Sequence, residues 1–208
     1  PFRAHRQCRS ITSRMKKERI GQIMVMLVVF MATGILSSCE KADNRYSAYR
    51  AYFRYNPVSA KPNLFRACTS LGEFCSITYP PGVNYVIKSP STSSSVDYVA
   101  RTALQGYQGF VLGIGGGLVV GMPVLPEMLE QESRVVCYDL CCPNCYQDYH
   151  ILKQMALYVG GLASCSSCQR SYDLNNQGIV SKGDAGRSLF RYYVDYYSPT
   201  QTLTVSNN

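Results

Sequence analysis

From residue 49 onward, apolar and polar positions alternate in short runs. Tyr49, Ala51, Phe53 and Tyr55 interleave with Arg50, Tyr52 and Arg54, the period-two pattern of a strand with one charged face. The same stretch admits a helical register through Tyr46, Tyr49 and Tyr52, and Pro57 ends it in either case. A strand is predicted near Phe74–Tyr79, stopped by Pro80-Pro81-Gly82, and another over 84–89. "SPSTSSS" (89–95) is a polar loop, whereas "VDYVARTAL" fits either periodicity. "FVLGI" and "LVVGMPV" read as two apolar strands joined by a tight glycine turn. "RVVCYDL" (134–140), "MALYVGGLASC", "GRSLFRYYVDYY" and "TLTVSN" complete the series, with no internal repeat. Short strands punctuated by Gly and Pro, and an abundance of Tyr, Val, Thr and Ser, predict an all-β antiparallel sandwich or barrel. The cysteine-rich loops at about 137–173 would form a small lobe on it.

The N-terminal pattern is different. Lys16, Lys17 and Arg19 precede an apolar run from Ile20 to Ile35, which gives way to "LSSC" at 36–39. Such a run is short for a spanning helix and has the three-part form of an export signal. "LSSC" resembles the lipobox of bacterial lipoproteins. That resemblance implies cleavage before Cys39, acyl chains on Cys39, and a lipid-anchored protein of the bacterial cell envelope facing the periplasm or the surface. The expected organisation is upstream translation over 1–14, a start at Met15, a signal over 15–38, a lipidated tether over 39–45, and one domain over 46–208. An uncleaved anchor helix is the alternative.

This division changes the meaning of the charge. The chain carries a formal +8, but seven of its 21 basic residues and one of its 13 acidic residues precede Cys39. The remainder holds 14 against 12, a net of +2, with no basic stripe. Nucleic acid is not an expected partner. The glycines at 113, 115, 116, 117 and 121 do not make a phosphate loop either. G-x-G-x-x-G counted from Gly113 needs glycine where Leu118 stands, and no GK[ST] follows.

The candidate chemistry lies in the cysteines. Cys142 and Cys145 are spaced C-P-N-C, and Cys165 and Cys168 C-S-S-C, twenty residues further on. Two C-x-x-C pairs at this separation predict a four-thiolate tetrahedral site. Each turn aims two sulfurs at one centre while its backbone N–H groups offset their charge, so all four should lie within about 4 Å of one another. Thiolates suit zinc or iron rather than magnesium or calcium. Disulfides are the alternative in an oxidising compartment. Cys68 and Cys75 are close enough in sequence for a local disulfide. Cys137 and Cys141 flank the first pair and share a strand face by alternation. They can pair, pack or ligate. No Ser/His/Asp or Cys/His catalytic set or carboxylate pair stands out, which argues against a hydrolase.

"CSSCQRSYDLNNQGIVSKGDAGRSLFRYYV" resembles the second half of a Rieske domain, C-x-x-H-G-S-x-F-D followed by G-x-V, a turn and a closing strand. Cys165 matches the family cysteine, Cys168 falls at the histidine, and Tyr172 and Asp173 match F-D. "VVCYDLCCPNC" resembles the first half, with Cys142 and Pro143 matching and Asn144 in the place of the other histidine. The resemblance covers about 65–208 and is specific over 134–196. It implies a Rieske-like fold and an electron-transfer centre with an envelope redox partner. With both histidines absent, the centre it implies is a four-cysteine one, holding a single iron, an all-cysteine [2Fe-2S] cluster of lowered potential, or zinc in a purely structural role. His150, five residues past Cys145, is an additional candidate ligand or an ordinary loop histidine.

Overall fold

The alternation at 51–55 forms as expected. Ala51 and Phe53 are buried while Arg50, Tyr52 and Arg54 face solvent, in a strand β1 over Tyr52–Tyr55. A computed structural model of the chain describes residues 46–81, 84–92, 94–101, 109–125 and 134–207. The expected upstream segment, start, signal, tether and Cys39 lie outside the described residues. So do residues 102–104 of the ambiguous "VDYVARTAL".

The fold is all-β: twelve strands in two antiparallel sheets, with two short helices, among the described residues. The strands that follow β1 are β2 (Phe74–Thr78), β3 (Tyr85–Lys88), β4 (Val96–Val99), β5 (Gly117–Gly121) and β6 (Val136–Asp139). Then come β7 (Ala156–Tyr158), β8 (Leu162–Ser164), β9 (Ser171–Asp173), β10 (Ile179–Lys182), β11 (Arg191–Tyr197) and β12 (Thr202–Ser206). An eight-stranded sheet runs β1-β12-β11-β6-β5-β2-β3-β4 and curls into a half-barrel. The smaller sheet runs β10-β9-β8-β7. The closing strand β11 pairs with β6, placing Tyr192 opposite Cys137.

The apolar runs of β5 and β6 are buried on both faces, and the pleat deals their side chains to two cores. Leu118, Val120 and Cys137 join Phe53, Leu64 and Ile77 in the main core. Val119, Val136 and Tyr138 point the other way, to a second core with Leu140, Met155, Tyr172 and all three of Cys142, Cys145 and Cys165. The cysteine lobe is thus built on the back of the two central strands.

Two helices escape the strand pattern. In α1 (Pro62–Thr69), Leu64, Ala67 and Cys68 form the buried face. Its N-terminal end is held by the Asp97 carboxylate, which accepts the Asn63 N–H at 2.7 Å, the favourable sign at a helix N-terminus. α2 (Pro143–Tyr149) starts at the first cysteine pair, so that pair sits at a helix start rather than on the expected loop. Both helices carry proline at their N-terminal end, where its missing N–H costs nothing.

The glycine turn at 113–116 leads into a strand rather than a helix. Asp139 occupies its inside, accepting the Ile114 N–H at 2.7 Å and the Tyr192 hydroxyl at 2.7 Å. A phosphate would find these donors taken. "FVLGI" contributes only an isolated bridge, Val111 to Tyr52, in place of the expected strand.

Candidate metal centre

The first cysteine pair is positioned by the end of β6. Past Asp139 the chain turns, with the Cys141 N–H donating to Asp139 Oδ1 at 2.7 Å, and Cys142 takes an extended conformation as N-cap of α2. Cys145 follows three residues on, one helical turn away on the same face. The second pair sits in the hairpin between β8 and β9. The Cys165 N–H donates to the Arg170 carbonyl at 2.9 Å, and the Gln169 N–H to the Cys165 carbonyl at 2.9 Å. Gln169 closes this turn at φ +59°.

Helix start and hairpin tip face each other. The Sγ atoms of Cys142, Cys145, Cys165 and Cys168 all lie within 4.8 Å of one another. Cys142 and Cys168 are 3.6 Å apart, as are Cys145 and Cys165. The edge of a four-thiolate tetrahedron with bonds of about 2.3 Å is about 3.8 Å. The cluster is therefore close to the size one ion requires, though slightly more open than the expected 4 Å. It can hold a metal ion, and all eight cysteines among the described residues are free thiols.

Hydrogen bonds converge on the sulfurs. The Cys145 backbone N–H is directed at Cys142 Sγ, and the Arg170 backbone N–H and guanidinium at Cys168 Sγ. The Tyr172 hydroxyl lies 3.2 Å from Cys142 Sγ and accepts from Asn144 Nδ2 at 2.9 Å, which leaves its own proton free for the sulfur. Asn144 also spans to the closing turn, donating to the Arg187 carbonyl at 3.2 Å and accepting the Arg187 N–H at 3.0 Å. Asn144 is therefore a bracket between α2 and the 184–187 turn, and its side chain is not one of the four converging groups.

The thiols differ in acidity. Burial raises Cys142 above the usual thiol range, against the opposing hydrogen bonds of Tyr172 and the Cys145 N–H. Burial and the neighbouring thiols raise Cys145 further. At Cys168 burial acts upward too, but the Arg170 N–H and guanidinium and the neighbouring thiols outweigh it and lower the thiol to about 7. Cys168 is also the one of the four that is only half-buried.

The remaining candidates stay outside the cluster. Cys68, Cys75 and Cys137 pack in the main core, where Cys68 and Cys75 are unbridged and burial pushes the Cys68 thiol up to about 12. Cys141 faces the glycine turn, where a Cβ on Gly115 would come within 2.9 Å of its own Cβ. His150 is exposed. It ends α2 at φ +55°, its N–H donating to Cys145 and Tyr146 carbonyls, so its role is in the helix stop. Spacing alone brought the four converging cysteines into view. Asn144, Arg170 and Asp139 left no such signal, because each also depends on a partner far along the chain: Tyr172 for Asn144, Asp184 for Arg170 and Tyr192 for Asp139.

The chain matches no family model, and no curated protein matches it.

Proposed function

We propose that the protein is a lipid-anchored envelope protein whose Rieske-like β domain binds one iron through Cys142, Cys145, Cys165 and Cys168 and passes electrons to an envelope partner. The observation that carries this is the convergence of four sulfurs on one buried point. Four thiolates suit iron or zinc. Their separation fits one ion better than a sulfide-bridged pair of irons, which would spread the two cysteine pairs apart. Iron would supply one-electron chemistry there. Around it, the Tyr172 hydroxyl and the Arg170 guanidinium are placed to stabilise negative charge on two of the sulfurs, a recognised means of setting potential.

Zinc is the second reading, and one observation favours it. Protein sulfurs supply all four positions and three of them are buried, the closed arrangement of a structural site. Elemental analysis of anaerobically purified protein, with its visible spectrum and a potentiometric titration, separates the two. One iron per chain and a reversible spectral change support the electron carrier. One zinc and a colourless, redox-silent protein replace it with the structural reading. The anchor is tested by Cys39→Ala, which should abolish acylation and normal processing. Normal processing and retained membrane association would remove the lipoprotein assignment.

A further inference from the structure

Beside the candidate metal centre lies a partly exposed face of the small sheet, whose β7 strand also meets the 90–92 segment. Ala163 and Tyr172 are buried, so their strand neighbours point to the opposite side of the small sheet. The register sets Ala156, Ser164, Ser171 and Lys182 in one row across all four strands, and Tyr158, Leu162, Asp173 and Ile179 in the next. Tyr158, Leu162 and Ile179 are 53%, 40% and 41% exposed. The first row opens into a cavity of about 720 Å³ lined by Lys153, Lys182, Ser166, Gln169 and the ligand Cys165, with no carboxylate in its wall. Neither lysine has an ion-pair partner among the described residues. Asp173 is the one acid on the two rows, and its Oδ1 is occupied by the Asn175 N–H at 2.9 Å.

We propose that this face is the docking surface for an acidic protein segment, whose carboxylates meet Lys153 and Lys182 while its apolar side chains cover Tyr158, Leu162 and Ile179. The inference deepens the metal reading and rests on it for its purpose, since a partner seated in the cavity touches the chain carrying a metal ligand. An apolar strip bordered by unpaired charge of one sign has the make-up of a partner interface. The charge selects which partner. A second copy would bring lysine against lysine, which complementarity disfavours.

The test uses the full chain in nonionic detergent, with its metal content measured on the same samples. The probe is a labelled peptide of alternating Glu and Leu, with a Lys/Leu peptide as its opposite. The Glu/Leu peptide should bind, weaken as salt rises, and shift amide resonances at 153–158, 164–171 and 179–182. The double variant Lys153→Glu/Lys182→Glu should lose at least tenfold in affinity, while Lys61→Glu, at the start of α1, which packs on the main core, should bind as the parent does. Absence of binding, equal binding of the Lys/Leu peptide, or undiminished binding by the double variant overturns the proposal. So do amide shifts that grow with protein concentration without peptide, which would mean a dimer, and binding to anionic vesicles in place of the peptide. Peptide binding by a chain that holds no metal would sustain the surface and remove the metal reading. Metal without peptide binding would do the reverse.

Discussion

Cys168 sets the proton balance of the centre. A metal binds thiolates, so every proton still on sulfur must leave as it binds. The raised thiols of Cys142 and Cys145 keep their protons through neutrality and are displaced at any pH near it. Cys168, lowered to about 7, is protonated below that pH and already a thiolate above it. Binding therefore displaces one more proton below about pH 7 than above. A plot of log affinity against pH, from chelator competition with zinc, should steepen by about one as pH falls through that value. Arg170→Ala, which keeps the backbone donor and removes the guanidinium, should move the break to higher pH. Tyr172 acts on the other side of the cluster. Tyr172→Phe strips a hydrogen bond from Cys142 and leaves Asn144 Nδ2 one acceptor short. The expected cost is about 1–3 kcal/mol of stability and about tenfold or more in metal affinity, the usual range for an outer partner of a ligand. Unchanged affinity in chelator competition would show that the hydroxyl does not support the sulfur.

At the level of elements, the glycine turn is the back wall of the lobe. Gly113 has φ +68°, and a Cβ there would fall 2.2 Å from Asp139 Oδ2. Gly116 has φ +66° with nothing within 4 Å of its Cβ position. Both alanine substitutions incur the left-handed penalty of about 1–2 kcal/mol. Only Gly113→Ala also drives into the carboxylate that holds Ile114, Cys141 and Tyr192. It should cost at least about 3 kcal/mol in urea unfolding, since displaced buried partners add about 1–3 kcal/mol each. Equal effects of the two substitutions would mean that Asp139 is not the turn's anchor.

Across the whole molecule, two cores share β5 and β6 as a common wall. Removing a metal bound by the four sulfurs should leave the main core of α1, Phe53 and Ile77 intact and take the tie from the second. Hydrogen exchange after chelation should therefore speed up first at 142–149 and 165–172, while β11 and β12 stay protected. Cys165→Ser should reproduce that pattern and lose the metal, because binding free energy is folding free energy in a small lobe. Cys68→Ser, which places a hydroxyl in the main core, should cost about 1–3 kcal/mol and leave metal stoichiometry unchanged. Loss of metal in Cys68→Ser would contradict the separation of the two cores.

The sequence by itself determined the β class and singled out the four cysteines that converge. Strand side chains alternate, so Ala51 and Phe53 against Arg50 and Arg54 announce a face directly, and a C-x-x-C spacing fixes two sulfurs within one turn of chain. Helices α1 and α2 were not legible. Each spans only about two turns, too short to show a helical period in the apolar pattern. Alternation also misled beyond the end of a strand: Cys137 enters the main core, whereas Cys141, two residues past Asp139, lies against the glycine turn. The tertiary structure alone decided the pairing of β6 with β11, the seating of Asp139 beneath Ile114 and Tyr192, and the bracket from Asn144 to Tyr172 and Arg187. Those contacts join residues 25 to 55 positions apart. Nothing local encodes them; they follow from which face of β5 and β6 each core occupies.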